Sequence, residues 1–428
     1  MPSPLAVLAM ATMLLSAPAC RPAATGQRPL APNDPASGPR TAPAHDENED
    51  AHDRLRIRAQ TFADLAGWSA DAVGQAVPPL LASCSKLAAL ADDDAIGRSP
   101  LGGRASDWRA PCAEARNLDI TDHAAARAFF EKHFTPFMVT DKGRAEGRFS
   151  GYYEAALRGS RQRHGRYQHP VYRRPPDLVT VHLNDFLSDS RSRKLGGRVV
   201  DGRLVPYATR TEIDAGALAN RGLELLWVDD PVDAFFAQVQ GSGRVLMDDG
   251  STVRIGFAGK NGHPYTAIGR VLIAWGELTR ATVSMQSIRQ WIVDHPDRAD
   301  ELMRKNQSFV FFEISKNDAP TGSQGVPLTA ERSMAVDREF IPASTPVWVD
   351  IHVPVAGTRG QEQTTFQRLL IAQDTGGAIL GPVRGDIYWG GTERAADIAG
   401  HMKSRGRYHA LVPRAAVERG DLARILLD

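Results

Sequence analysis

Read as a string of apolar and polar positions, the chain changes period several times. Over 71–91 (DAVGQAVPPLLASCSKLAALA) and again over 122–134 (DHAAARAFFEKHF), apolar residues recur at the spacing of a helix face. Asp122 stands where a helix N-cap belongs. From 148 the texture becomes short β-rich runs separated by Gly, Pro and Asp: GRYQHPVYRRP, GRLVPYATR, LELLWVDD and AFFAQVQGSGRVLMDDGSTVRIGFAGKNG. Within the last of these, MDDGST predicts a hairpin turn. Helical spacing returns over 265–304, and the runs SFVFFEI, TPVWVDIHV, RLLIAQD, GDIYWGG and YHALVP then predict strands. Runs of this length and spacing suggest a barrel or sandwich. No repeat period and no regular strand–helix alternation marks a doubly wound sheet. The expected fold class is mixed α+β, mainly β.

The first twenty residues, MPSPLAVLAMATMLLSAPAC, form an apolar run too short and too early for a spanning helix. They end in Ala17-Pro18-Ala19-Cys20, which resembles the lipobox of bacterial lipoproteins, where the cysteine becomes acylated after signal cleavage. Ala17 stands where leucine is usual, and no Lys or Arg precedes the run; the alternative is an ordinary cleaved signal. Both readings place the folded body in the periplasm. The lipobox reading anchors it to the outer membrane, because Arg21 rather than aspartate follows Cys20. Residues 21–50 carry almost nothing large and apolar, so they cannot bury enough surface to offset their ordering entropy and read as a tether. Of three cysteines, Cys84 and Cys112 remain, and in an oxidising compartment they predict one disulfide rather than two buried thiols.

A length of 428 residues suggests two or three domains. A net charge of +1 gives no global attraction for nucleic acid, and none is expected as a partner. The twelve histidines form no H-E-x-x-H, and ADDDAIG (91–97) lacks the spacing of a calcium loop, so no metal is expected. The segment RGSRQRHGRYQHPVYRR (158–174) holds six arginines. It reads as a solvated basic loop whose partner, if it has one, is an acidic polymer or a stem peptide. No G-x-S-x-G elbow occurs, and Ser242 in QGSG reads as a turn residue.

The candidate chemistry is acidic. LLIAQDTGGAILG (369–381) delivers Asp374 into a turn, Asp386 follows twelve residues later in GDIYWGG, and Asp337 precedes another strand in AVDREFIP. Gly376-Gly377 and Gly381-Pro382 let the strand ending at Asp374 fold back toward the strand of Asp386. Neighbouring carboxylates resist simultaneous ionisation, which raises at least one above the aspartate reference of about 3.9 and leaves an acid able to donate near neutral pH. An aspartic protease would need two D-T/S-G loops, and the chain has one.

The blocks GRFSGYYEAAL, FFAQVQGSGRVLMDDGS, AGKNGHPYTAIGRVLI, NQSFVFFE, GVPLTAERSMAVDREFIP and AQDTGGAILGPVRGDIYWGG resemble, in this order, the membrane-bound lytic murein transglycosylase A family, over about 148–413. The last two resemble its three-aspartate domain, a double-psi β-barrel. The resemblance implies cleavage of the MurNAc-β-1,4-GlcNAc bond of peptidoglycan with 1,6-anhydro ends, without cofactor. It implies Asp386 as the general acid and base, with Asp374 and Asp337 as companions. Tyr152, Tyr153, Gln240, Ser242, Lys260 and Asn261 fall in the matching blocks as candidate groove residues. The implied architecture is a discontinuous first domain (51–150 and 308–428), N-terminal helices plus barrel. A second β-rich barrel domain (151–307) is inserted, with the glycan groove between the two. The partners expected are peptidoglycan glycan strands and the outer membrane through the Cys20 anchor, with the protein a monomer or a member of cell-wall complexes. Leu380 replaces a lysine frequent in the family, and Arg384 is the candidate substitute. Two alternatives stay open: a non-catalytic peptidoglycan-binding protein, and a hydrolytic glycosidase with a second carboxylate, for which Glu154 is the nearest candidate.

Overall fold

The computed structural model describes residues 54–183, 186, 194–317 and 319–427, all within one compact unit. The signal, Cys20 and the tether lie outside them. The strands are β1 (Leu55–Ala59), β2 (Phe134–Asp141), β3 (Gly147–Tyr152), β4 (Ala155–Ser160), β5 (His169–Tyr172), β6 (Val179–His182), β7 (Lys194–Val200) and β8 (Arg203–Pro206). They continue as β9 (Glu224–Val228), β10 (Ser242–Met247), β11 (Thr252–Lys260), β12 (Val310–Ile314), β13 (Ser333–Val336), β14 (Pro346–Pro354), β15 (Gln363–Asp374), β16 (Arg384–Tyr388) and β17 (Ser404–Pro413).

Six of these close into a barrel in the order β17-β14-β15-β13-β16-β3, because β3 pairs with both β16 and β17; β2 and β1 extend the sheet from β17. The pairs β13–β15 and β16–β3 are parallel and the other barrel pairs antiparallel. Met334, Val336, Val347, Val349, Leu370, Ile387 and Tyr408 fill the interior. The outer faces of β14, β15 and β17 are buried too: Trp348, Leu369, Ile371 and Leu411 pack against Leu80, Trp108 and Phe130 of the N-terminal helices. Burial on both faces explains why TPVWVDIHV and RLLIAQD are apolar at nearly every position.

The helices at Val77–Leu87 and His123–His133 stand where their periodicity predicts, and the Asp122 carboxylate caps the second by accepting from the Ala125 N–H at 2.8 Å. They are pinned to the barrel by Arg332, which leads into β13. Its guanidinium donates to both Asp71 oxygens (2.8 and 2.7 Å), and Asp71 also accepts from the Leu369 N–H at 3.0 Å. Both side chains are almost fully buried, so losing either partner would strand a charge at a cost of about 3–5 kcal/mol.

The second sheet runs β12-β11-β10-β4-β9-β5, and its ends approach at one bridge, Arg173–Phe312. β12 belongs to it although it lies beyond residue 307. The β10–β11 hairpin turns at Gly250 (φ +82°), as MDDGST predicts. One expectation fails here. AFFAQVQ is not strand but the end of a helix, Pro231–Gln240, capped by the Asp230 carboxylate accepting from the Val232 N–H at 2.7 Å and stopped by Gly241 (φ +81°). The Asp-Pro start and the Gly stop outweigh a seven-residue apolar run that fits either period. A further helix, Glu393–His401, interrupts the C-terminal strands with Thr392 as its cap. β6, β7 and β8 form a separate three-stranded sheet.

The Cys84–Cys112 disulfide is present, Cα–Cα 5.7 Å, tying the helix at 77–87 to that at 109–115. Its loop of 28 residues restricts the unfolded chain by about 3–4 kcal/mol. Replacing both cysteines by alanine should lower unfolding stability by about 3 kcal/mol in denaturant titrations, with little change in the native circular dichroism.

Candidate active site

A single register row crosses four strands of the barrel. Asp374 on β15 pairs with Ala335 on β13, Ala335 with Asp386 on β16, and Asp386 with Ser150 on β3. The alternate residues Met334, Ile387 and Phe149 fill the barrel interior, so this row faces outward. Asp374 reaches it through an irregularity. Met334 pairs with Ala372, yet Ala335 pairs with Asp374, so the extra residue Gln373 turns away. The Gln373 amide donates to Pro79 O and Ser83 Oγ beneath the helices. Without that bulge Asp374 would face the wrong side.

Asp386 is half-buried, and its Oδ1 accepts from Ser150 Oγ at 2.6 Å. Ser150 Oγ in turn accepts from Arg384 Nη2 at 2.6 Å. Burial holds the Asp386 carboxyl above the usual aspartate value. The Arg384 charge and the Ser150 hydrogen bond oppose this shift, and the Asp374 charge adds to it. Asp374 is held differently. Its Oδ2 accepts from Tyr152 Oη at 2.9 Å, and its Oδ1 from the N–H groups of Ser323 and Thr375, both at 2.8 Å. Burial and the Asp374 charge push the Tyr152 phenol well up, so it stays a donor. Arg338 is the cation nearby: its Nε and Nη2 are buried with no hydrogen-bond partner among the described residues, and the Asp374 charge acts on it.

Asp337 works at a distance. Its Oδ2 accepts from the Gly381 N–H at 2.7 Å and its Oδ1 from the Glu339 N–H at 3.1 Å, fixing the loop between Asp374 and Asp386. Gly381 has φ +112°, a left-handed conformation that a side chain would strain. Leu380 beside it is 71% exposed. Arg384 already reaches the acid through Ser150, so the contacts of Asp386 do not involve position 380.

The other candidate residues separate into two groups. Tyr152 stacks near Tyr388 (centroids 5.3 Å) beside the acids. Half-buried Tyr153 donates its N–H to Gln240 Oε1 at 3.1 Å, linking the exit of β3 to the helix at 231–240, and Ser242 opens β10 opposite Gly256. Asn261, by contrast, is fully buried. It donates to Ala208 O and Gln307 O and accepts from the N–H of Phe309, each at 2.9 Å. Lys260, exposed, pairs with Val310 at the end of β11, and its backbone carbonyl lies beside Gly196 of β7. Glu154 is buried; its Oε1 accepts from Arg254 Nε at 2.8 Å, and its N–H donates to Gly390 O at 2.9 Å. Ser150 is the residue sequence reasoning missed. It lies inside a recognised block, but only strand register places it beside Asp386. Among the described residues no group of His, Cys, Asp or Glu could hold a metal ion, and no helix is long and apolar enough to cross a membrane.

Two family profiles match the chain: the MltA specific insert domain over residues 148–313 and the 3D domain over 332–412. A solved membrane-bound lytic murein transglycosylase from Agrobacterium tumefaciens is 34% identical, with 85% of this chain and 99% of that one covered and a TM-score of 0.75. The chain belongs to the MltA family. Escherichia coli MltA with bound chitohexaose is a further neighbour of the same fold, at 28% identity, with 79% of this chain and 90% of that one covered and a TM-score of 0.59. The membrane-bound lytic murein transglycosylase A of Escherichia coli (strain K12) is 36% identical over 266 residues, 61% of this chain. That match spans 65% of the relative's length. Five of the six barrel strands, β13 to β17, fall in the 3D match, while the insert match runs from β3, the sixth, through β12.

The electrostatics of Asp386 predict a pH-dependent stability. Its folded value lies above the unfolded value of about 3.9, so its contribution is complete below that pH and lost as pH rises through the folded value. Asp386→Asn should therefore raise Tm by about 2 °C at pH 7.5 and leave it unchanged near pH 3. A lower Tm at pH 7.5 would contradict the burial argument.

Proposed function

We propose that this MltA family member is a lytic transglycosylase that cleaves the MurNAc-β-1,4-GlcNAc bond of peptidoglycan, with Asp386 as its single acid and base. The observation that carries this reading is an outward-facing carboxyl with a raised pKa that has no free carboxylate partner for hydrolysis among the described residues. A hydrolytic glycosidase needs a second carboxylate as nucleophile or base. Asp374 is engaged by three donors, and Glu154 is buried against Arg254. If the muramic acid C6 hydroxyl attacks C1, the nucleophile comes tethered and no positioned water is needed. Protonated Asp386 donates to the departing O4 as the C1–O4 bond breaks. The resulting carboxylate takes the C6 hydroxyl proton as the O6–C1 bond forms. No water is consumed, and Asp386 ends protonated.

In this reading Ser150 aims the carboxyl, Asp374 keeps it protonated, and Asp337 acts through the Gly381 loop. Tyr152, Tyr153, Gln240 and Ser242 line the glycan groove between the barrel and the inserted sheet, taken as two domains. Asn261 and Lys260 support the second sheet. The relatives' names and the chitohexaose complex support glycan strands as the substrate. Attachment to the outer membrane through a lipidated Cys20, with residues 21–50 as tether, completes the proposal; the protein acts there as a monomer.

Mass spectrometry of digested peptidoglycan should show muropeptides one water lighter than their reducing-end counterparts. Asp386→Asn should slow their release by about 10²- to 10⁴-fold. Reducing ends would indicate a hydrolase, and binding without products a non-catalytic protein. The acid form is the active one, so kcat/KM falls as pH rises through the Asp386 pKa. Ser150→Ala removes a hydrogen bond that favours the ionised form and should move this limb to higher pH. Asp374→Asn removes a charge that favours the protonated form and should move it to lower pH.

A further inference from the structure

The inserted sheet carries a cluster of cations that the acid chemistry does not use. Arg244 on β10 lies directly opposite Arg254 on β11, and two residues along, Leu246 lies opposite Arg158 on β4. All four share the face turned away from the core that holds Val245 and Leu157. They line a cavity of about 720 Å³ together with Asp229, Asp230 and Asp233.

Most of these charges are already satisfied. Arg254 is paired with buried Glu154, Asp229 lies 3.6 Å from Arg166, and Arg289 holds Asp233 and approaches Asp230 at 3.8 Å. Arg158 and Arg244 are exposed and have no carboxylate partner among the described residues. Arg244 donates to Gly391 O, at 3.3 Å. That contact fixes where the cavity stands. Gly391 follows Asp386 by five residues along β16 and its continuation, a span of at most about 16 Å. Arg244, on the cavity's lining, therefore stands near the segment that carries the acid.

We propose that Arg158 and Arg244 bind carboxylates of the stem peptide carried by muramic acid, so that this cavity is a peptide subsite beside the glycan groove. Guanidinium groups bind carboxylates through parallel, charge-assisted hydrogen bonds. The exposed Leu246 between them offers an apolar patch to the peptide's side chains. The three aspartates in the same lining repel a densely anionic polymer but not a peptide with separated carboxylates and an ammonium group. This assignment rests on the peptidoglycan reading of the same groove. It also gives a role to Arg158, the first residue of the arginine-rich segment. Others in that segment hold the fold, as Arg163 does over Trp227 (5.4 Å) and Arg166 at Asp229.

The test uses the full chain with Asp386→Asn, binding purified glycan strands that keep their stem peptides and the same strands after an amidase has removed them. The Asp386→Asn protein should prefer the peptide-bearing strands by about tenfold, and adding Arg158→Ala and Arg244→Ala should erase that preference. Binding to stripped strands should stay within about twofold. Both arginines are exposed, so the fold is not at risk. Equal binding of the two strands before the arginines are changed would overturn the subsite, as would a preference that survives their loss. Release of anhydro ends by the unsubstituted chain reports separately on the transglycosylase reading, so the two can fail independently.

Discussion

The ladder of hydrogen bonds that β3 makes is the constraint on which everything else rests. β3 lies between β16 and β17 and closes the barrel, parallel to one and antiparallel to the other. The same strand presents Ser150 to Asp386 and Tyr152 to Asp374, then passes the chain into the second sheet at Ala155. Close packing allows this. A Cβ at Gly151 would stand 2.5 Å from the Trp389 indole nitrogen, and one at Gly147 would fall 1.9 Å from Val383 O. Glycine is required at both positions because backbone and indole occupy the space, and the GRFSGYY block is spelled by that geometry.

Much of the fold is legible in the sequence because its signals are local. Asp122 caps its helix by short-range hydrogen bonding, and MDDGST turns at Gly250 because that residue takes a positive φ cheaply. The helix at 231–240 was misread since its apolar run fits either period and its decisive signals are the residues at its ends. The site was legible only in part. The three aspartates stand out as residues, yet their roles depend on register. A bulge between Met334 and Ala335 brings Asp374 onto the row of Asp386, while Asp337 turns to the Gly381 backbone. Nothing in the local sequence distinguishes these outcomes. Nor does it distinguish Asn261, placed in a polar block that resembles groove-lining sequence, from a side chain spent wholly on backbone groups.

The electrostatics of the site follow from unequal neutralisation. Asp374 receives two backbone donors and a phenol; Asp386 receives one hydroxyl, and burial and the Asp374 charge raise its pKa. Arg384 does not pair with Asp386 directly. Its guanidinium is shared between Ser150 and the Gly385 carbonyl, and burial weakens its hold on its own proton. A direct ion pair would lock Asp386 as a carboxylate. An arginine one hydroxyl away orients the acid without discharging it, which is the compromise a proton donor needs.

The barrel is assembled from two stretches of chain far apart in sequence. β3 is complete by residue 152, yet its partners begin at 384 and 404, with the whole second sheet between them. Closing so distant a pairing carries a large loop entropy and comes late in folding. Until β16 has emerged, Ser150 and Asp386 have no common strand row, and the acid lacks its orientation. A chain still leaving the ribosome therefore lacks the assembled row. The topology acts as an internal safety catch: the row of Ser150 and Asp386 comes into being only when most of the chain is present.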